Sequence, residues 1–275
     1  VVDSGQARIS RYNPRTQVQR LEIEMISQAS VRQRRGRCGR IAEGICFHLY
    51  DREALESADA YTDPEIRRTS LAGVILQMKR LRLPPITEFP FLDPPQSSLV
   101  REGLRTLRDL GALDERERLT PVGRELAELP VDPHLARMLV EARERGVLPE
   151  LLVLVAFLSI RDPRERPADK RDEADQAHKR WRHPQSDFLG ILALWNDLAQ
   201  LHRDKTSNAQ QRRFCREHFL HPLRVREWRN LRRELHEAMT ARGWKAPRSA
   251  AGPFANVDED TVHKALLSGI PSNIG

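Results

Sequence analysis

The run Leu151-Leu152-Val153-Leu154-Val155-Ala156-Phe157, opened by Pro149 and closed near Leu158, has no polar side at helical spacing. A helix that is apolar almost all round is stable in water only when other helices enclose it. This stretch therefore predicts a central buried helix and a bundle around it. The flanking sequence supplies the bundle. Asp132-Pro133 caps a helix carrying Leu135, Met138, Leu139 and Ala142, which Gly146 ends. Ser186-Asp187 opens a long helix with Leu189, Leu192, Trp195, Leu198 and Leu201 on its apolar positions. From Pro222 a further helix carries Trp228, Leu231 and Leu235, with arginines on its other faces, and Val262 to Gly269 reads as one more. Trp195 and Trp228 are expected to be core anchors.

Upstream of the bundle the pattern changes. Pro64 is expected to start a helix through Ile66, Val74, Ile75, Met78 and Leu81, stopped by Pro84-Pro85. A second helix near Ser98 places Leu99, Leu104, Leu107 and Leu110 on one face, with Gly111 as its C′ residue. Ala112 to Asp114 and Arg118 to Thr120 then flank a short β-wing, and Thr120-Pro121 opens a third helix to Leu129. Helices, wing and helix spell a winged helix. The helix near Ser98 mixes Arg101, Arg105 and Arg108 with Glu102 and Asp109, so it lacks the uniform basic stripe of a DNA reader.

The first 50 residues read as β-structure. Arg8 to Tyr12 alternates, Asn13-Pro14-Arg15-Thr16 turns, and Val18 to Ile23 alternates back, which predicts a hairpin. Ser30 is the expected cap of a short helix from Val31, and Gly44 to Tyr50 the expected closing strand. Between these lies Ser27-Gln28-Ala29-Ser30 followed by Gln33-Arg34-Arg35-Gly36-Arg37-Cys38-Gly39-Arg40. Glycines allow close backbone approach, arginine forks match phosphate oxygens, and a positioned glutamine can orient an attacking water.

The Gln-x-x-Gly-Arg-x-Gly-Arg spacing resembles motif VI of the DEAH-box RNA helicases, and the likeness runs through nearly the whole chain, closest to the bacterial HrpA-type branch. The resemblance implies a mainly α chain with a small α/β remnant: the C-terminal part of a second RecA-like domain with its hairpin and motif VI (1–52), a winged helix (53–130) and a helical, ratchet-like helicase-associated domain (131–275). It makes Gln33, Arg37 and Arg40 the catalytic and ATP-binding residues, with Gln33 placing the hydrolytic water and the two arginines acting as fingers. Arg34 matches the pattern without an assigned role. ATP and Mg²⁺ are the implied cofactors, held mainly by a first RecA-like domain that this chain lacks, and no other metal is expected. RNA, single-stranded or duplex with a single-stranded tail, is the implied partner, moved 3′ to 5′ and unwound. The hairpin would touch it through Arg8, Arg11, Tyr12, Arg15 and Arg20, and the basic loop after the central helix through Ser159, Arg161, Arg164 and Arg166. An OB-fold domain, which follows in the family, is missing.

Composition agrees with an acidic partner. The net charge is +7 and the pI near 9.7, with arginine at 40 of the 46 basic positions. No apolar run of about 18 residues exists, so no membrane span is expected, and a cytoplasmic protein fits. Cys38, Cys46 and Cys215 are odd in number and show no C-x-x-C pairing, against a disulfide framework or zinc site. Asp172-Glu173-Ala174-Asp175 spells DEAD, but its flanks are polar and it follows motif VI, so it is expected to be a solvated helix face. No G-x-x-x-x-G-K-[ST] occurs, so the chain has no phosphate cradle of its own and is expected to be a fragment, inactive alone. The rival expectation is a non-catalytic nucleic-acid-binding winged-helix module.

Overall fold

The computed structural model describes residues 1–14, 18–204, 206–245, 254 and 258–271. The chain forms two compact units, residues 1–106 and 107–275.

In the first unit, β1 (Val2–Asp3) pairs in parallel with β4 (Phe47–His48), and β2 (Gln6–Asn13) pairs antiparallel with β3 (Val18–Met25). The expected strand from Gly44 to Tyr50 shrinks to two residues because its partner is only two residues long. Gly5 makes the corner between β1 and β2 at φ +71, and a Cβ there would sit 2.5 Å from the Tyr50 ring. Glycine alone fits both conditions.

Helix α1 (Gln28–Arg35) begins one turn earlier than expected. Its cap is Ser27, not Ser30, whose N–H donates to Ser27 Oγ at 3.3 Å. Ser27 is buried and also receives the Thr62 hydroxyl at 3.1 Å, which fixes it as the cap. Helix α2 (Arg52–Ser57) follows β4.

The helix expected from Pro64 is broken in two: a 3₁₀ turn over Glu65–Arg67 and α3 (Ala72–Arg80). Thr69 and Ser70 lie in the break, where the Thr69 hydroxyl donates to Glu65 O at 2.9 Å and Ser70 Oγ accepts the Ala72 N–H at 3.5 Å. Such side-chain bonds compete with helix continuation. Helix α3 also ends before Pro84, with Leu81 as its cap and Arg82 at φ 55. Helix α4 (Ser97–Asp109) carries buried Leu99 and Val100 in this unit. Its Gly103 lies against α3: a Cβ would come within 2.9 Å of Ile75 Cδ1.

The second unit begins in the last turn of α4. Gly111 takes φ +70, and the Ala112 N–H returns to Leu107 O at 2.8 Å, closing the helix as its sequence implied. The wing is a single bridge, Leu113 to Leu119, with Glu117 at φ 59 in its tip. Asp114 holds that tip by accepting the N–H groups of Arg116 and Arg118 at 2.9 and 2.8 Å. Thr120 caps α5 (Pro121–Glu128) through the Gly123 N–H at 2.9 Å.

Asp132 caps α6 (Pro133–Arg145), and Gly146 ends it at φ 76. Helix α7 (Leu148–Leu158) is buried from Leu151 to Phe157, and α6, α9 (Asp187–Arg203), α11 (Pro222–Thr240) and α12 (Glu259–Leu267) pack on it. Trp228 is wholly buried and donates from Nε1 to Val153 O at 2.9 Å. Its ring meets Phe157 and Trp195 edge-on at 5.0 and 4.9 Å. The DEAD tetrapeptide lies on α8 (Arg171–His178), a polar helix whose Ala174 alone is buried. Helix α10 (Asn208–Glu217), opened by a Ser207–Gln210 capping box, had no counterpart in the sequence reading.

Candidate ATP-facing motif and nucleic-acid interface

The motif is presented by α1 and the turns after it. Val31 is the one residue of α1 that is buried, so the helix rests on the unit by a narrow seam and exposes most of its basic side chains. Beyond Gly36 the chain keeps turning: the Arg37 and Cys38 N–H groups donate to Arg34 O and Arg35 O at 3.1 and 3.0 Å. A Cβ on Gly44 would fall 2.4 Å from Cys38 O, so the returning chain presses on the motif at a glycine. Gln33, Arg37 and Arg40 are exposed, and their side chains make no hydrogen bond or ion pair with the described residues.

Arg34 is the opposite case. It donates to Asp3 Oδ1 at 2.7 Å and to Gln6 O at 3.1 Å. Asp3 is buried, with its side chain fully inaccessible. It also accepts the Gly5 N–H at 3.0 Å and the Tyr50 hydroxyl at 3.1 Å, while His48 Nδ1 stands 3.7 Å away. Burial alone would raise the Asp3 pKa, but the bonds from Gly5, Arg34 and Tyr50 outweigh it and hold the carboxyl below its ordinary range. On Tyr50, burial and the Asp3 carboxylate act together and push the phenol up to about 12. Thus one motif arginine is spent on anchoring α1 to β1, and the remaining polar groups are left outward. Asp3 is the partner that sequence reading missed; its only signal was a lone acid in a short apolar strand.

All three cysteines are free. Cys38 donates weakly to Ile45 O at 3.6 Å, a packing contact within the loop.

The hairpin splits its basic residues between its faces. The register sets Arg11 opposite Arg20, whereas Arg8 faces Ile23 and Tyr12 faces Gln19, so Arg11 and Arg20 share one face and Arg8 and Tyr12 the other. Arg8 and Arg20 are exposed. Arg11 is held by Glu24 through two nitrogens and by Asp63 at 3.2 Å, and these hydrogen bonds drive its pKa further up. Tyr12, expected to be a stacking ring, donates its hydroxyl to Glu102 Oε1 on α4 at 2.6 Å, and burial with this bond raises its pKa. The hydroxyl is therefore engaged within the unit. Arg15 lies outside the described residues.

The loop after α7 is equally divided. Ser159 donates to Val155 O at 2.8 Å as the helix ends. Arg164 chelates Asp162 at 2.7 and 3.1 Å beside the Phe157 ring, and Arg166 pairs with Asp175 of the DEAD stretch. Backbone bonds from Glu165 to Phe219 O and from His221 to Pro163 O, both 2.8 Å, stitch the loop to the α10–α11 connection. Arg161 is exposed and bonds to none of the described residues.

Two helicase-associated families match the chain. Residues 103–131 match the family described as helicase associated domain (HA2), winged-helix, and residues 132–191 match helicase associated domain (HA2), ratchet-like. Over 100% of its length the chain is 46% identical to the ATP-dependent RNA helicase HrpA of Escherichia coli and 46% identical to its homolog in Haemophilus influenzae, covering 21% of each. Along its whole length the chain is thus similar to one segment of HrpA-type ATP-dependent RNA helicases. It is also 36% identical, over 91% of its length, to the human probable ATP-dependent RNA helicase DHX34, of which it covers 22%. The chain thus spans about a fifth of the curated relatives it matches first. It carries the winged-helix and ratchet-like domains, and its described part is mostly helical with few strands. Among the described residues no helix is long and apolar enough to cross a membrane, and no group of three or more His, Cys, Asp or Glu could hold a metal ion.

Proposed function

We propose that this chain supplies one wall of the ATP site and the RNA-guiding domains of an ATP-dependent RNA helicase. Residues 1–52 act as the end of the second RecA-like domain, 53–130 as the winged helix and 131–275 as the ratchet-like domain. The observation that carries the reading is the division of labour within the motif: Arg34 is paired with the buried Asp3, while Gln33, Arg37 and Arg40 stand exposed and unpaired among the described residues. Arginine forks without internal partners are ready to meet phosphate oxygens. When ATP is bound across the cleft from a first RecA-like domain, its γ-phosphoryl group is the electrophile that water attacks. Gln33 then orients that water, and Arg37 and Arg40 stabilise the charge that develops on the transferred oxygens. Mg²⁺ belongs to the other wall, since this chain offers it no donor set among the described residues.

RNA, as a single strand or a duplex with a single-stranded tail, is the substrate, moved 3′ to 5′ and unwound in the cytoplasm. Arg8, Arg20 and Arg161 are the expected phosphate contacts, since each is exposed and has no partner among the described residues. Arg11, Arg164 and Arg166 contribute only by exchanging a carboxylate for a phosphate, and Tyr12 by stacking with its hydroxyl still tied to Glu102. Ser159 reaches RNA only by giving up its hydroxyl bond to Val155 O. The chain alone hydrolyses no ATP.

The test is a chimera in which this chain replaces the matched segment of the Escherichia coli relative. Replacing Arg37 and Arg40 together by Ala should lower RNA-stimulated hydrolysis by about 10³-fold or more, with RNA affinity kept within a few-fold. Hydrolysis that survives while RNA affinity collapses would instead make the chain a non-catalytic nucleic-acid-binding module.

A further inference from the structure

Helices α9, α10 and α11 line a half-open cavity of about 680 Å³ whose charged side chains are all arginines, beside the neutral amides of Asn208, Gln211 and Asn230. Arg212 comes from α10, and Arg226, Arg229 and Arg232 from α11; no Asp or Glu among the described residues lines it. The two inner arginines have no counter-ion among the described residues. Arg229 spends its fork on neutral acceptors, Gln211 Oε1 at 3.1 Å and Leu198 O at 2.6 Å. Arg232 lies with its guanidinium 5.8 Å from the Trp195 ring, and its buried Nε and Nη2 find no acceptor at all. Trp195 is itself buried, and its Nε1 likewise has none. Burial pushes the pKa of both Arg229 and Arg232 down, as expected of cations held without an anion. The outer pair, Arg212 and Arg226, is exposed and makes no ion pair with the described residues.

We propose that this cavity is a binding site for a phosphate-bearing ligand of nucleotide size. Buried donors without acceptors are rare in folded proteins and ask for an explanation. A doubly charged oxyanion in the cavity offsets the charge of the inner and outer arginines together, and the enclosed donors of Arg232 and Trp195 lie directly behind that wall. Arginine forks match the oxygen geometry of a phosphate, where a single carboxylate would leave most donors unused. The volume falls in the range of about 300–1,000 Å³ of small-molecule pockets, and the apolar flank from Leu198 and Val225 leaves room for an attached organic body. The phosphate belongs either to a free nucleotide or to a residue in an RNA backbone. The site is made only of residues 195–233 and does not depend on the motif at Gln33 to Arg40.

The whole chain, labelled with ¹⁵N, is titrated separately with inorganic pyrophosphate, adenosine monophosphate and a short oligouridylate, and the Trp195 indole N–H resonance is followed. A saturable shift is expected, weakened about tenfold or more by Arg232→Met and several-fold by Arg226→Gln, and unchanged by Arg216→Gln, which lies outside the cavity. Arg226 is exposed, so its variant keeps the comparison intact if Arg232→Met fails to fold. Tighter binding of the mononucleotide assigns a free ligand; binding of the oligonucleotide about tenfold tighter, with the same losses, assigns an RNA backbone. A Trp195 resonance unmoved by all three probes at millimolar concentration would overturn the proposal. So would shifts that neither cavity variant changes.

Discussion

At the scale of single residues, the account turns on two neighbouring arginine roles that look alike in sequence. Arg34 completes a buried carboxylate; Arg37 pairs with no acid among the described residues. Arg34→Ala removes a hydrogen bond to a charged partner, a change of about 1.5–3 kcal/mol, and urea denaturation should show that loss. It also alters the pH profile. The Asp3 carboxyl is held below its ordinary range in the folded chain, so the unfolded chain binds the proton more readily and stability rises with pH through the acid range. The Asp3 contribution is full above the unfolded value of about 3.9 and fades as pH falls toward the folded one. Arg34→Ala should therefore flatten the acid limb of a stability-against-pH curve; an unchanged limb would remove Asp3 from the explanation.

At the scale of elements, caps and close approaches set the boundaries. Thr120→Ala removes the α5 cap and should cost about 1 kcal/mol. Gly123→Ala, three residues on, should cost more, since its Cβ would lie 2.0 Å from Ala112 O and must push α5 away from the wing. Thermal melts of the two variants order the effects; equal losses would contradict the packing. These elements also show where sequence was legible. The apolar run at 151–157 and the proline-marked starts at Pro121, Pro133 and Pro222 are local signals, and each produced its helix where expected. Helix α10 escaped because its segment is polar, with Cys215 its only buried residue, and its capping box is the one signal that could have found it. The Pro64 helix was over-read because apolar spacing carried across Thr69 and Ser70, whose hydroxyls bond the backbone locally. The β4 strand was over-read because its length depends on a partner distant in sequence.

At the scale of the whole molecule, a basic chain is not uniformly available to an acidic partner. The net charge of +7 conceals arginines already paired within the fold, such as Arg11, Arg34, Arg164 and Arg166, and others left open, such as Arg8, Arg37, Arg40 and Arg161. Sequence spacing suggested the motif and a likeness to RNA helicases; it could not sort these two sets, because most of the pairing is decided by acids distant in the chain. Asp3 lies 31 positions from Arg34, and Asp175 nine from Arg166. The central claim is that Arg37 is presented for chemistry while Arg34 holds the fold. The most direct test measures single-turnover ATP hydrolysis and melting temperature together for Arg37→Ala and Arg34→Ala in the chimera with the Escherichia coli relative. The account predicts that Arg37→Ala melts with the parent and loses about 10³-fold or more in hydrolysis, whereas Arg34→Ala melts lower. Hydrolysis near the parental rate in a fully folded Arg37→Ala chimera would contradict it.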